Sequence, residues 1–413
     1  MNLLIEFANR NRGIIKRIVP PSLIRAASSI MQRGASVEKC RGGFEKGAWP
    51  SGVNVIGYLR SRIGVGQGAR LLSEAVMAAG IPLGLVDLPL DGSPDKEVFH
   101  PDLMMSGLRY SVNVVHVNPR DFYLHVSPLP SGFWRRRYNI GVWLWELEEF
   151  PDMWLKYFDF VDEVWTPSSF NTEAIAKKSP VPVRTVPYGV TAVFDEGLGR
   201  SHFGLPEDRF LFLSMFDANS GRERKNPDGA VRAFRTAFPS ENGDVALVVK
   251  ANNASLSELG SLVGDRRDVI VISRSMSKTE VNSLVRSCDC FVSLHRSEGF
   301  GLVMAEAMKL GVPCIATGWS ANMDFMNESN SRLVGYRLVD VKDDEIYLPV
   351  YEGRFTPRWA DPDIGQAAAF MRELSESPSA CGELAERARR DIESGFSTEA
   401  SAARIREALE PLL

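Results

Sequence analysis

The chain has 413 residues, more than a single hydrophobic core accommodates, so two domains of about 200 residues each are expected. Its 44% hydrophobic and 24% charged residues exclude a disordered or fibrous protein. Lys plus Arg (48) nearly balances Asp plus Glu (52), and the net charge of −4 leaves no electrostatic footprint for nucleic acid. No apolar run reaches the ~18 uncharged residues of a membrane span, and no apolar signal core precedes a small-residue cleavage site. A cytoplasmic protein is therefore expected. The five cysteines (Cys40, Cys288, Cys290, Cys314, Cys381) are odd in number and sparse, which suits reduced core thiols.

Residues 1–50 stand apart as a basic extension, with nine cationic side chains against three acidic ones, or +6, leaving −10 elsewhere. Apolar residues interspersed over 1–45 would let it adhere to anionic lipid at the inner membrane face, or it is simply an extension. From residue 53 the text reads strand (53–59), Gly-rich loop (Gly64, Gly66, Gly68), helix (69–79) and strand (83–88), a βαβ opening. Apolar runs at 112–117, 138–145 and 163–166 continue a first domain over 51–195, and 187–209, rich in Gly and Pro, is the candidate hinge. A second domain over 205–390 repeats the alternation. Its strands fall at 210–216, 245–250, 269–273, 290–295 and 314–317, with helices at 227–237, 278–286 and 302–310. The tail reads helical at 367–374, 382–393 and 400–409, with 391–413 placed to pack back on the first domain. Both sheets are expected to be parallel and doubly wound, with ligands at the carboxyl ends of the strands, where Asp217, Lys250, Arg274 and His295 should lie.

The most informative stretch is Ser293-Leu-His-Arg-Ser-Glu298-Gly-Phe-Gly301-Leu-Val-Met-Ala-Glu306, followed by Gly311-Val-Pro-Cys-Ile-Ala-Thr317. A strand running through a Gly-flanked turn into a helix aims unpaired backbone N–H groups, with their partial positive charge, at the sheet edge. Gly299 and Gly301 let backbone approach phosphate oxygens with no Cβ in the way. Carboxylates repel phosphate, so Glu298 and Glu306 call for hydroxyl partners: a ribose diol for Glu306, and sugar hydroxyls or a developing anomeric charge for Glu298.

This Glu-x7-Glu within strand, turn, helix and Gly-x-Pro resembles the donor site of retaining glycosyltransferases of family 4. The resemblance covers about residues 53–340 and implies a GT-B fold, two Rossmann-like α/β domains facing across a cleft. It also implies that Glu298 contacts the donor sugar, that Gly299, Phe300, Gly301 and Leu302 hold the diphosphate, and that Glu306 takes the ribose. Lys225, in Arg222-Glu-Arg-Lys-Asn-Pro227, matches the phosphate-binding lysine. The family's arginine directly after the first strand of that domain is absent here, since Met215 or Phe216 stands in its place, and Arg222 or Arg224 is left to reach back.

In the first domain Gly64 and Gly66 fall where the family's Gly-rich loop approaches donor phosphates and acceptor. A dinucleotide-binding loop is the competing reading, but its Gly-x-Gly-x-x-Gly sits directly on the strand, whereas this loop starts about five residues late with Gly-x-Gly-x-Gly. His116, in Val-Val-His-Val-Asn-Pro, falls near the histidine that the family places beside the transferred sugar, and a slip of two would put Asn118 there instead. Trp134, Trp143, Trp145, Trp154 and Trp165 read mostly as core, with Glu146 the acid to test as an acceptor contact. Asp361-Pro-Asp363 has metal-site spacing but no preceding apolar strand, so a turn or helix cap is the better reading. The five histidines show no metal-ligand spacing.

The expected activity is metal-independent, retaining transfer of a sugar, with a leaning to mannose, from a GDP- or UDP-sugar. The acceptor would be a saccharide, lipid-linked, in surface polysaccharide (lipopolysaccharide) assembly. No cofactor beyond the co-substrate and no nucleic acid partner is expected. A sugar-nucleotide epimerase of the same architecture and a non-catalytic nucleotide-binding module are the alternatives.

Overall fold

When helices cover both faces of a sheet, its strands must be apolar on both sides, and the central strands of this chain are. The computed structural model describes residues 41, 43–88, 97–119, 121–122, 131–241, 243–342, 351 and 355–413. The amphipathic reading of residues 1–45 falls almost wholly outside these residues, as does Cys40. In the first half of the chain β1 (Val53–Gly57), β2 (Leu83–Asp87), β3 (Val112–His116), β4 (Tyr138–Val142), β5 (Glu163–Thr166) and β6 (Val183–Thr185) form one sheet in the order β2-β1-β3-β4-β5-β6. β1 pairs in parallel with β2 and β3, and β3 with β4.

Three asparagines in register fasten this sheet internally. Asn54 Nδ2 donates to Asn113 Oδ1 (2.9 Å), Asn113 Nδ2 donates to Asn139 Oδ1 (2.9 Å), and Asn54 Oδ1 accepts from the backbone N–H groups of Arg109 and Tyr110 (3.0 Å each). All three are fully buried, and each amide also donates to a backbone carbonyl: Asn54 to Tyr110 (2.9 Å), Asn113 to Phe133 (3.1 Å) and Asn139 to Arg137 (3.0 Å).

The second half forms a sheet ordered β12-β11-β10-β7-β8-β9 from β7 (Phe210–Asp217), β8 (Val245–Asn252), β9 (Val269–Ile272), β10 (Cys290–Ser293), β11 (Cys314–Thr317) and β12 (Arg332–Val334). All its pairs are parallel. Counted from β7, this is the strand order of a dinucleotide-binding sheet, and it reverses direction between β7 and β10. The loops after those two strands therefore diverge to opposite faces and open a crevice between them. A hairpin of β13 (Tyr336–Asp340) and β14 (Arg358–Pro362) follows, then helices Ile364–Glu376, Pro378–Gly395 and Thr398–Leu409.

By packing, the chain divides into two compact units. One holds the described residues through Trp143 with Lys156–Val164 and Ala408–Leu413; the other holds Leu144–Leu155 and Trp165–Glu407. In the second, Phe212, Leu247, Val292 and Ile315 from the sheet pack with Phe234, Ala367 and Met371 from its helices, all essentially inaccessible. Cys288, Cys290 and Cys314 are free and buried, and Cys381 is free and half-buried, in keeping with core thiols. Among the described residues no helix is long and apolar enough to cross a membrane.

Candidate functional site

The crevice is built from two short loops. After β7 the chain makes helical turns at Ala218–Ser220 and Arg222–Lys225 before the helix Pro227–Ala237. Asn226 fixes that junction: at φ +50° it caps the helix through Oδ1 to Gly229 N (3.1 Å), while its Nδ2 donates to the Leu294 carbonyl past β10 (2.8 Å). A Cβ on Gly229 would sit 2.4 Å from Asn226 Nδ2, so the glycine is a steric requirement of this tie. The tie brings Arg224 and Lys225 over the loop that follows β10.

That loop runs through Glu298 to Gly301, whose φ of +92° suits glycine and starts the helix Leu302–Lys309. Glu298 accepts from Lys225 Nζ (2.5 Å, Oε1) and faces Arg224 Nη1 (3.2 Å, Oε2). Arg224 also donates to the Ser297 carbonyl (2.7 Å), and Ser320 Oγ accepts from Glu298 N (2.9 Å). Burial by itself would raise the Glu298 carboxyl, but the Lys225 ammonium and the Arg224 guanidinium outweigh it and hold the group down at about 2. Arg222 is engaged elsewhere, on Asp228 (2.9 Å), so of the two candidate arginines Arg224 is the one that reaches Glu298.

One turn into the helix, Glu306 is 1% exposed; its Oε2 accepts from Lys278 Nζ (2.5 Å), and its Oε1 is buried with no hydrogen-bond partner. His295, two residues past β10, is fully buried, and both ring nitrogens lack a partner at hydrogen-bond distance. Burial, set against the nearby Glu298 carboxylate, pushes its pKa down to about 4, so the ring is neutral at pH 7. Thr317 Oγ1 is likewise buried without a partner, and Asn322 is the side chain that interacts with the His295 ring. The unmatched Glu306 Oε1 and Thr317 Oγ1, on elements that follow β10, are what a polar ligand would satisfy.

Phe300 is buried among Tyr188, Phe325 and Phe396, with centroids 5.1, 5.5 and 6.3 Å away, so its side chain anchors the turn and only its backbone is left for an anion. Gly299 is held through its carbonyl, which accepts from Ser168 Oγ (3.0 Å) and Asn171 Nδ2 (2.6 Å). Sequence reasoning missed Ser168, Asn171, Ser320 and Lys278; each acts across more than 20 residues of chain, and no local spacing marks it.

Other expected site residues lie in different surroundings. Gly64 and Gly66 do not form a loop: a helix begins at Gly64 and runs to Ala78. A Cβ on Gly66 would come within 2.6 Å of the Tyr58 and Ser61 carbonyl oxygens, so this glycine lets the first helical turn pack on the chain that leads into it. β4 stops at Val142 rather than at 145, and Glu146 belongs to the second unit. There its carboxylate lies 3.9 Å from Arg224, and its carbonyl accepts from Ser297 Oγ. In the first unit His116 ends β3 fully buried, its pKa pushed down to about 4 by burial, and half-buried Asn118 accepts from Asp121 N (2.9 Å) and Phe122 N (3.0 Å) through its carbonyl. The five clustered tryptophans are core, each at most 5% exposed. Asp363 caps the helix Ile364–Glu376, while Asp361 pairs with Arg296 (2.9 Å) and Arg337 (3.0 Å). Among the described residues no three His, Cys, Asp or Glu side chains gather into a metal site.

Residues 200–342 match the family model described as glycosyl transferases group 1. No curated protein matches the chain. Among solved structures it is similar to a sucrose-phosphate synthase from Thermosynechococcus elongatus, at 15% identity over 88% of this chain and 99% of that one, with a TM-score of 0.64. It is also similar to Anabaena HepE in complex with UDP and glucose, at 14% identity over 87% and 100% of the two chains, TM-score 0.60. WaaG, a glycosyltransferase involved in lipopolysaccharide biosynthesis, aligns at 15% identity over 86% and 99%, TM-score 0.58. The fold is that of the GT-B glycosyltransferases.

Proposed function

We propose that this chain is a retaining glycosyltransferase, moving a hexose from a nucleoside-diphosphate sugar to a saccharide acceptor. The observation that carries the reading is the convergence of Arg224 and Lys225 on Glu298, at the turn that opens the helix Leu302–Lys309. A departing diphosphate needs positive charge held in place before it forms, and two cations beside the free N–H groups of a helix start supply it without a metal ion. Glu298, freed as the cations turn to the phosphates, orients the sugar and faces the positive charge that develops at its anomeric carbon. Glu306 Oε1 takes the ribose hydroxyls. Departure and attack on the same face of the sugar give retention with no protein nucleophile. No cofactor beyond the nucleotide sugar is assigned.

UDP-glucose joins GDP-mannose as a candidate donor because HepE was solved with UDP and glucose. The role of WaaG in lipopolysaccharide biosynthesis supports a lipid-linked saccharide acceptor at the inner membrane face, and the +6 charge of residues 1–50 suits an anionic surface. The test is thermal shift of wild type and Glu306→Ala with UDP, GDP, ADP, dTDP and NAD, followed by product analysis. A ligand at about 100 times its Kd adds about 2.7 kcal/mol. One ribonucleoside diphosphate should stabilise the wild type, lose that effect in Glu306→Ala, and be released from its sugar only when an acceptor is present. Stabilisation by NAD alone, or sugar conversion with no acceptor, would overturn the reading.

A further inference from the structure

The reading above leaves open what lets a carboxylate as deeply buried as Glu306 serve a ribose. Four elements pack on its helix. The helix Lys278–Arg286 offers Lys278 at its first position, fixed there by a capping box in which Ser277 and Glu280 satisfy each other's backbone N–H. The other charges of that helix are turned away: Glu280 is engaged by Arg274 (2.8 Å), and Arg286 lies in its last turn. The helix Pro378–Gly395 presents Glu393, which takes Lys309 at the far end (3.3 Å). β10 and β11 contribute the thiols of Cys290 and Cys314, both neutral because burial raises them. Lys278 is thus the charged group that acts on Glu306.

We propose that Lys278 is the positioning residue of the ribose subsite, anchoring Glu306 through Oε2 so that Oε1 is held to accept the ribose hydroxyls. The geometry is a 2.5 Å contact to one carboxylate oxygen, with the other oxygen buried and unmatched. Burial raises the Glu306 carboxyl above the ordinary range, and Lys278 is what opposes that rise. Remove the ammonium and the carboxyl titrates higher still. The carboxylate needed for the ribose is then lost as the pH falls, and returns as it rises.

The experiment rests on the nucleotide reading and separates its failure from failure of the proposal. Affinity for UDP and for GDP is measured by calorimetry from pH 6 to 8.5 for wild type, Lys278→Met, Lys278→Gln, Lys278→Arg and Glu306→Gln, with inorganic pyrophosphate as the probe that never meets the ribose subsite. For the nucleotide that binds, the wild-type-to-Lys278→Met affinity ratio should be largest at pH 6 and shrink toward pH 8.5, since the ionised fraction of a carboxyl falls as the pH drops below its pKa. Lys278→Arg should restore the wild-type profile, and pyrophosphate affinity should be unchanged throughout. Lys278→Gln repeats the measurement should the methionine variant fold poorly. A pH-independent loss, or no loss, while Glu306→Gln still weakens nucleotide binding overturns the role of Lys278 alone. If Glu306→Gln binds both nucleotides as wild type does, or neither nucleotide binds wild type, the reading of the site fails as well.

Discussion

Glu298 engages, with its two oxygens, the same two cations that a diphosphate would require. It therefore competes with the ligand it is proposed to serve, and removing its charge should have opposite effects on binding and on turnover. In Glu298→Gln, free UDP or GDP should bind about tenfold tighter, since an ionic hydrogen bond worth roughly 1.5 kcal/mol or more no longer has to be broken. Sugar transfer should fall steeply in the same protein, because the carboxylate proposed to face the anomeric carbon is gone. Calorimetry and a product assay on one preparation check both, and weaker nucleotide binding in this variant would count against the placement of the phosphates. Lys225→Met should weaken nucleotide binding by about 10- to 100-fold, the range for losing one charge-assisted bond. Arg222→Met should change it little, because that guanidinium is committed to Asp228.

At the scale of elements, the asparagine ladder across β1, β3 and β4 carries a stability prediction of its own. Asn113 is its middle rung, donating to Asn139 and accepting from Asn54. Asn113→Val puts a β-branched side chain on the strand but takes the donor from the buried Asn139 Oδ1, while Asn54 Nδ2 keeps the Tyr110 carbonyl (2.9 Å), and an unmatched buried polar group costs about 1–3 kcal/mol. Chemical denaturation should show that loss, and a loss under about 0.5 kcal/mol, the level of an ordinary surface change, would mean the amides find other partners. The ladder could not be foreseen, because asparagine in a strand reads as a breaker until the register is known. Legibility followed the same rule elsewhere. Helices 227–237 and 278–286 were placed to the residue, since apolar period and caps agree there. β6, β12, β13 and β14 are not among the expected strands: β6 and β12 have three residues each, β13 exposes Tyr336 and Arg337, and β14 ends on Asp361 and Pro362, so none shows a sustained apolar run. Glycines misled at Gly64 and Gly66, where they permit close backbone packing inside a helix rather than a loop. The pairs at the centre of the candidate site, Lys225 with Glu298 and Lys278 with Glu306, join separate loops and helices. Spacing located the glutamates, and only the fold could supply their partners.

On the scale of the whole molecule, among the described residues each unit carries one fully buried histidine, His116 in the first and His295 in the second, and burial holds both down at about 4. In the unfolded chain an imidazole titrates near about 6.5, so between about pH 6.5 and 4 the unfolded state binds a proton that the folded state refuses. The sign follows: the stability due to each neutral ring is full above about pH 6.5 and drains away as the pH falls toward 4, at up to about 1.4 kcal/mol per pH unit for each ring. Two units need not unfold together, so a single melting temperature would blur the effect. Hydrogen exchange at pH 7.5 and 5.5, read separately on β3 and on β10, resolves it. Both strands should lose protection at the lower pH once intrinsic exchange rates are corrected for. His116→Gln should flatten the loss on β3 while leaving it on β10, and His295→Gln should do the reverse. If either substitution flattened both, the units would be unfolding as one body; if neither did, the loss would lie in groups other than these two rings, and not in Glu298, whose contribution is lost only below about pH 4 as its folded-state pKa of about 2 is approached.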